Sequence, residues 1–371
     1  RIFSERYGYD FRDYLPELFF AVDHPLRPSL PRDYLTGLSD LFEENYSRRC
    51  GEWCAAHGIA LTGHLNFAGF LDFARCGNAL RQFRHWQWPG MDILTDQVGK
   101  VSAFKMTSSV AHQHGDGRVV CETYGCTGWD WPPERQRFQS GWQFCVGVNF
   151  RCQHLSHYTL AGWGKKDYPG SMTPHTSWFA DYREIEDHCA RLSYALTRGV
   201  YAARTLVLSP YTAVADLFRG HHFDDSDPAA AILAACNADW EHINSTLLAH
   251  HIDFDYADEG DVIAENGAVA VGRMHYDRVL VLPWHTLCAA TEAVLAQAGV
   301  PVYRLTDGTI PADVLDAIGA DCRITAEGAN AAQIWSTRRL DGDKTVLFLQ
   351  SMADSEQVAE ISIAAPSPVL L

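Results

Sequence analysis

The acidic side chain of Glu122 stands where a strand is expected to end, after the apolar segment Val119–Cys121 and before small and aromatic residues. A carboxylate in that place could attack an anomeric carbon or activate a water molecule. Cleavage of a glycosidic bond needs one ionised carboxylate near the oxocarbenium-like transition state and one protonated carboxyl for the leaving oxygen. The sequence therefore makes Glu122 a candidate catalytic carboxylate.

Polar side chains stand at or just beyond the ends of the other predicted strands. In (β/α)₈ barrels the active site is built at the carboxyl ends of the strands, so these residues should surround Glu122. We expect them to hydrogen-bond a sugar, and a purely structural role stays open as the alternative for each. The residues are His64, Asn66, Asp92, Tyr124, Asn149, His154 and Tyr158.

Tryptophan is concentrated just after Glu122. A flat indole ring suits the apolar face of a sugar and leaves its polar edge for hydrogen bonds. For any single tryptophan, packing in the core is the alternative. As a group they favour a carbohydrate cleft, with Trp129, Trp163 and Trp178 as the substrate contacts and Trp131 and Trp142 beside them.

Other clusters indicate less chemistry. His112 and His114 are spaced i, i+2 and face different ways on a helix, so a shared metal ion is not expected. Ser108 has no G-x-S-x-G elbow around it, which argues against a serine hydrolase. The pairs 165–166 (Lys-Lys) and 221–222 (His-His) are typical of a solvated surface. We therefore predict no metal ion and no cofactor.

Strand-like and helix-like segments alternate from about residue 15 to residue 160, which is typical of a parallel sheet covered by helices. We predict an α/β fold with a (β/α)₈ TIM-type barrel over residues 1–203. About five barrel strands are in view, so we expect the amino-terminal part of the barrel to be missing. The predicted strands are Leu18–Val22, Ile59–Leu65, Met91–Leu94, Val119–Thr123 and Val146–Cys152, and the predicted helices are Arg32–His57, Gln97–His114 and Pro133–Gln143.

Two further units are predicted. Residues 204–322 read as a small, doubly wound, Rossmann- or flavodoxin-like α/β accessory domain, with Arg278–Leu282 as a clean buried strand. This unit has no G-x-G-x-x-G fingerprint, so a dinucleotide is not expected. Residues 323–371 switch to polar–apolar alternation around an Asp-Gly turn, which indicates the start of an antiparallel β-domain or β-sandwich.

An ordered series of motifs resembles a known family. The motifs include G-H-L at residues 63–65, P-G-M-D at 89–92, S-S-V-A-H-Q-H-G at 108–115 and C-E-T-Y-G-C-T-G-W at 121–129. They are similar to the barrel of glycoside hydrolases related to the family 106 α-L-rhamnosidases. The later segments resemble accessory domains of that group and of the family 42 β-galactosidases. The resemblance implies a retaining or inverting glycosidase with Glu122 as one catalytic carboxylate, and leaves the sugar open.

Position 68 departs from the pattern of those relatives. Where they lead us to expect a glutamate that serves as general acid, this chain has Ala68. Three explanations stay open: an engineered inactivating substitution, an acid supplied by Asp72, Asp92 or Asp130, or loss of hydrolysis in a protein that only binds glycans.

Charge and composition restrict the partners. With 30 basic and 46 acidic residues among 371, the net charge is −16, which repels nucleic acid and anionic membranes. No apolar run reaches the length of a membrane span. The 11 cysteines show no paired C-x-x-C spacing, which favours reduced thiols and a cytoplasmic location. The expected partner is an oligosaccharide or polysaccharide, and a homo-oligomer is compatible with this composition.

Overall fold

The computed structural model describes residues 2–19, 30–65, 76–96, 98–166, 168–170, 172–217, 228–326 and 331–362. Its helices are α1 (Ile2–Tyr7), α2 (Leu15–Phe19), α3 (Leu30–Phe42), α4 (Arg48–Ala56), α5 (Ala79–Phe83), α6 (Val101–Gln113), α7 (Pro133–Cys145), α8 (Arg183–Leu196), α9 (Tyr211–Leu217), α10 (Pro228–Ala249), α11 (Ala289–Ala298) and α12 (Ala312–Ile318).

The strands follow the same chain order. They are β1 (Thr62–His64), β2 (Trp88–Asp92), β3 (Val120–Thr123), β4 (Phe150–Gln153), β5 (Val200–Tyr201), β6 (Thr205–Leu208), β7 (Phe254–Ala257), β8 (Ile263–Glu265), β9 (Ala268–Val271), β10 (Met274–Tyr276), β11 (Arg278–Val281), β12 (Val302–Arg304), β13 (Arg323–Ala326), β14 (Ile334–Asp341), β15 (Lys344–Ser351) and β16 (Ala359–Ser362).

The first sheet is parallel and has the order β1-β2-β3-β4. Helix α6 connects β2 to β3, and α7 connects β3 to β4, as in successive β/α units. The parallel β/α architecture predicted from the sequence is therefore confirmed. Within the described residues the four strands form an open sheet rather than a closed barrel.

The second sheet is also parallel, with the order β12-β11-β6-β7. The chain adds β7 on one side of β6 and then β11 and β12 on the other, which is a doubly wound order. The strand predicted at Arg278–Leu282 is present as β11, and the assignment of residues 204–322 to an accessory domain stays a prediction. A meander of β8, β9 and β10 that the sequence pattern did not indicate lies beside the parallel strands as a separate antiparallel sheet.

Helix α6 joins the two parallel sheets. All of its residues from Val101 to Gln113 are buried, because it contacts β2 of the first sheet and β7 of the second. The same hydrophobic core runs from Met91 and Trp142 to Tyr256 and Leu280. The boundary at residues 203 and 204 stays a prediction, and the core passes across it.

The strands near the end of the chain pair antiparallel, while their assignment to a separate β-domain stays a prediction. Strands β14 and β15 form a hairpin, β5 extends it, and β13 pairs with β16. Phe348 of the hairpin packs edge-on against Phe144 of α7, with ring centroids 6.3 Å apart. The hairpin therefore rests on α7, the helix that connects β3 to β4 of the first sheet.

The prediction of a strand over Leu18–Val22 is wrong for its first two residues, which are helical. Leu18 and Phe19 belong to helix α2, and the rest of that segment lies outside the described residues. A run of apolar residues as short as this one fits a buried helix turn as well as a strand, and periodicity alone does not separate the two.

Candidate active site

Glu122 owes its position to the alternation of side chains along β3. Cys121 and Thr123 are fully buried and face α7, where the Gln143 side-chain amide donates hydrogen bonds to Thr123 Oγ1 (3.1 Å) and Cys121 Sγ (3.4 Å). Successive side chains of a strand point to opposite faces, so Glu122 lies on the other face, with its side chain 35% exposed. It therefore stands near the carboxyl end of the strand, accessible from outside.

Asp92 is the direct neighbour of Glu122 on the adjacent strand, since the two residues are paired in the β2–β3 register. A carboxylate oxygen of each lies within 4.8 Å of the other. Burial, with the nearby Glu122 acting in the same direction, raises the pKa of Asp92 against the opposing effect of His64. Asp92 Oδ1 is buried and has no hydrogen-bond partner among the described residues.

Two histidines flank Glu122 from either side. His64 ends β1 and places Nε2 3.3 Å from one Glu122 oxygen, and His154, just after β4, places Nε2 3.9 Å from the other. The His154 backbone N–H donates to Thr123 O at 2.8 Å, which fixes the loop after β4 beside β3. The sequence prediction that residues from different strand ends meet around Glu122 agrees with the positions of His64, Asp92 and His154.

The same three strands also bring together a set of metal-type ligands. A ring nitrogen of His64 and carboxylate oxygens of Asp92 and Glu122 all lie within 4.8 Å of one another. Imidazole and carboxylate groups at such spacing could hold a divalent cation. The sequence did not indicate this combination, because the three residues are dispersed over 59 positions, and the expectation of no metal ion stays a prediction.

The remaining aromatic candidates occupy different environments. Trp129 and Trp178 line a cavity of about 490 Å³. Trp163 is 81% exposed, with the Lys166 ammonium 4.2 Å from its ring centroid, and Tyr158 is fully exposed. A larger cavity, about 690 Å³, lies among residues of α1, α3 and the turn after α3. Its lining includes none of the residues around Glu122.

Three residues differ from their predicted positions. Tyr124 is fully buried: its backbone adopts φ = +73°, and its hydroxyl donates to Gln136 O at 2.9 Å, so it presents no surface to a substrate. Asn149 precedes β4 and is buried at the opposite end of the strand, where its amide bonds Val119 N and Gly117 O. Trp142 is a core residue of α7 packed edge-on against Phe104.

The remaining candidate residues lie away from Glu122 or outside the described part of the chain. Asn66, Ala68 and Asp72 lie outside the described residues. Asp130 borders the cavity that Trp129 and Trp178 line. The pair 221–222 also lies outside the described residues, and His112 is buried against Asp255 rather than directed to His114 or a shared ligand.

Sequence reasoning missed His157 and the support for β4. His157 packs against Trp129 with ring centroids 5.4 Å apart. Glu186 of α8 accepts hydrogen bonds from Arg151 (2.8 Å) and Gln153 (2.7 Å), both on β4. The position of His157, three residues after His154, could have indicated that it lies near the same strand end. The two hydrogen bonds to Glu186 of α8 depend on tertiary packing, which the local sequence does not show.

The fold that carries this site is the one found in glycosidases of known structure. At 16% identity, the rhamnosidase from Novosphingobium sp. PP1Y superposes with a TM-score of 0.65 over 97% of this chain and 38% of that chain. The β-galactosidase from Marinomonas ef1 gives 0.54 at 12% identity, over 87% of this chain and 56% of that one. The β-galactosidase from Halorubrum lacusprofundi gives 0.51 at 15% identity, over 98% and 59%.

These likenesses confirm the predicted resemblance at the level of the fold. The chain spans 38% of the rhamnosidase and 56–59% of the two β-galactosidases. No protein-family model matches the sequence, and no curated protein does. No helix in the described part of the chain is long and apolar enough to cross a membrane.

Proposed function

We propose that this chain carries the catalytic site of a glycoside hydrolase that cleaves bonds in oligo- or polysaccharides, with Glu122 as a catalytic carboxylate. The observation that supports this most is the position of Glu122 near the carboxyl end of a parallel strand, with Asp92 in register beside it and histidines on both sides. That end of the sheet is where enzymes of β/α architecture place their chemistry.

Glu122 would act as the ionised group, either attacking the anomeric carbon or activating a water molecule. His64 and His154 would hold its two oxygens in place by hydrogen bonds or ion pairs. In either form of the reaction, the positive charge that develops on the sugar ring is stabilised by the nearby carboxylate. The two histidines are therefore proposed as positioning residues.

The two catalytic carboxyls of a glycosidase flank the scissile bond. Asp92 and Glu122 are in-register neighbours on adjacent strands, with carboxylate oxygens within 4.8 Å of each other, so both approach a sugar from the same side. We propose that Asp92 is a positioning and substrate-binding group, which keeps its proton more readily than an ordinary aspartate and can donate it in a hydrogen bond.

The general acid is then supplied from another position. The resemblance to family 106 enzymes implies that it belongs at position 68, where this chain has Ala68. Asp72 and Asp130 are the other candidates. Since Ala68 cannot donate a proton, glycan binding without hydrolysis is the second candidate function.

An α-L-rhamnoside is the first candidate substrate. The sequence motifs resemble family 106, and the solved rhamnosidase superposes with a TM-score of 0.65. A β-galactoside is the alternative, supported by the similar fold of the β-galactosidases. Contacts from Asn66, Trp129, Tyr158, Trp163 and Trp178 to some part of the substrate stay predictions.

A screen of 4-nitrophenyl glycosides and plant oligosaccharides tests the proposal. The natural chain and the Ala68→Glu variant are assayed in parallel for release of nitrophenol or reducing sugar. Hydrolysis by either protein supports the glycosidase, and a gain only in Ala68→Glu identifies position 68 as that of the acid. If neither protein cleaves or binds any of these compounds, the proposal is wrong.

A further inference from the structure

A cavity of about 490 Å³ lies between the loops that follow β3 and β4. Its size falls within the range of small-molecule sites, about 300–1,000 Å³. The two loops are joined by backbone hydrogen bonds from Gly128 N to Pro169 O (3.1 Å) and from His154 N to Thr123 O (2.8 Å). Because Glu122 lies one residue before the end of β3, from which the first loop departs, the cavity lies at the same end of the sheet.

The lining combines apolar faces with dispersed polar groups. Two indole rings, Trp129 and Trp178, border the cavity together with Thr176, Ser177, Asp130 and Lys165. Indole faces pack on the C–H groups of a pyranose, while hydroxyls, a carboxylate and an ammonium group can pair with the ring's hydroxyl groups. This mixture suits a sugar better than a purely apolar or a purely charged ligand.

His157 supports one wall of the cavity. Its ring packs against Trp129 with ring centroids 5.4 Å apart, and it is not itself among the residues that line the cavity. This contact helps to fix the orientation of the Trp129 ring that the cavity presents to a ligand.

We propose that this cavity is a second saccharide subsite, which binds a neutral pyranose linked to the sugar that meets Glu122. The proposal rests on the proposed function, because it makes the natural substrate an oligosaccharide rather than a simple monoglycoside. We take the sugar to be neutral because the lining carries one carboxylate and one ammonium group, Asp130 and Lys165, and because the chain's net charge of −16 disfavours an anionic polymer.

The Trp129→Ala variant tests the subsite, with Trp53→Ala as the matched control. Trp129 is 40% exposed and Trp53 is 57% exposed, so neither change empties a core site, and Trp53 lies on α4 stacked on His57. Assays compare kcat/KM for a 4-nitrophenyl monoglycoside with kcat/KM for a neutral tetrasaccharide of the same terminal sugar. Thermal melts confirm that both variants are folded.

We expect Trp129→Ala to lose about 10- to 100-fold in kcat/KM on the tetrasaccharide, a loss equivalent to 1.4–2.8 kcal/mol of binding, and less than about 3-fold on the monoglycoside. Trp129→Phe, which keeps a ring, should recover most of the loss, and Trp53→Ala should change neither value. Equal losses on both substrates, or no loss on the tetrasaccharide, would overturn the subsite.

A binding assay separates failure of this proposal from failure of the proposed function. Neutral rhamno-, galacto- and xylo-tetrasaccharides are titrated by calorimetry into the natural chain and into Trp129→Ala, without reference to turnover. Binding that disappears in the variant supports the subsite even if no glycoside is cleaved. Hydrolysis of monoglycosides without binding of any tetrasaccharide leaves the proposed function intact and overturns the subsite.

Discussion

At the scale of single residues, the site consists of one accessible carboxylate and the groups that hold it. Glu122 contacts histidines that come from β1 and from the loop after β4, while Asp92 faces it across the β2–β3 pairing. Two carboxyl groups at this distance interact unfavourably when both are ionised, so the one that is more strongly desolvated keeps its proton longer. The direction of the Asp92 pKa follows from this arrangement.

Replacing Asp92 distinguishes a positioning residue from a catalytic one. We expect Asp92→Asn, whose amide is always neutral and still donates a hydrogen bond, to keep activity within about 10-fold of the natural chain. Because its pKa is raised, Asp92 loses its proton at a higher pH than an ordinary aspartate, whose pKa is about 3.9. Activity that depends on this proton falls as the pH rises through the raised pKa.

The measurement is a kcat/KM profile between pH 4 and 8 for both proteins. The variant should lack the decline on the alkaline side that Asp92 causes in the natural chain. A loss as large as that of a Glu122 variant would mean that Asp92 is itself a catalytic carboxyl.

Sequence reasoning predicted which residues meet around Glu122 but not all of their surroundings. Glu122, His64, Asp92 and His154 could be predicted because carboxyl ends of parallel strands meet at one edge of a sheet. Tyr124 could not, because a positive φ directly after β3 turns its side chain into the interior. That backbone conformation is set by tertiary contacts, and a non-glycine residue gives little sign of it.

At the scale of elements, β2 shows how a strand can contain residues that disfavour strands. The sequence predicted a strand over Met91–Leu94, yet β2 begins at Trp88 and includes Pro89 and Gly90. Gly90 is required by close approach, since a Cβ there would lie 2.4 Å from Gly63 O and 3.0 Å from Val120 O. A glycine inside a strand often marks such a contact between backbones.

Gly90→Ala should therefore disturb the strands that carry His64 and Glu122. We expect a loss of about 1–3 kcal/mol in the free energy of unfolding, because the added methyl group must displace backbone atoms. Urea denaturation followed by tryptophan fluorescence gives the value. Gly164→Ala is the control, since a Cβ at that exposed position meets nothing within 4 Å. Equal stability of the two variants would contradict the close packing of β1, β2 and β3.

Helix α6 was predicted over Gln97–His114, but its surroundings were not. Small residues such as Ser102, Ala103 and Ala111 let a sheet approach from two sides, and every residue of the helix is buried. Its polar residues Ser102, Lys105, Ser109 and His112 share one face, which the pattern alone would place in solvent, yet that face is buried. What covers the helix depends on β7, about 140 residues later in the chain, and no local pattern contains that information.

At the scale of the whole molecule, the two parallel sheets are joined by a buried polar cluster. Lys105 and His112 of α6 contact Asp255 of β7, at 3.9 Å and 2.9 Å, and Lys105 Nζ donates to the Tyr201 hydroxyl at 3.1 Å. Tyr201 in turn donates to Asp253 at 3.0 Å. Buried charges are stable only when paired, so this cluster ties helix α6, which packs on β2 of the first sheet, to β7 of the second sheet and to β5.

Asp253 gives this link a pH dependence. Burial and the neighbouring carboxyl of Asp321 raise the pKa of Asp253 to about 7. The folded chain therefore binds this proton more tightly than the unfolded chain, and stability is lost as the pH rises from about 4 through 7. For one proton the slope reaches about 1.4 kcal/mol per pH unit.

We expect Asp253→Asn to flatten that slope in urea denaturation between pH 4.5 and 7.5. The control is Asp341→Asn, which removes an exposed carboxylate paired with Arg198 at 3.1 Å. If the natural chain and Asp253→Asn show parallel pH profiles, the cluster does not titrate as described, and the coupling between the two sheets would need another basis.

The catalytic role of Glu122 is the central claim, and one comparison tests it most directly. The substrate is the glycoside that the chain, or its Ala68→Glu variant, cleaves fastest. In whichever of these two proteins is the more active, kcat is measured without further change, with Glu122→Gln added and with Glu265→Gln added. Glu265 is the matched control because it also pairs with a histidine, His275, at 3.0 Å, but lies in the antiparallel β8–β10 sheet. We predict a loss of about 10²–10⁴-fold for Glu122→Gln and none for Glu265→Gln. Activity that survives in Glu122→Gln at the level of the control would contradict the account.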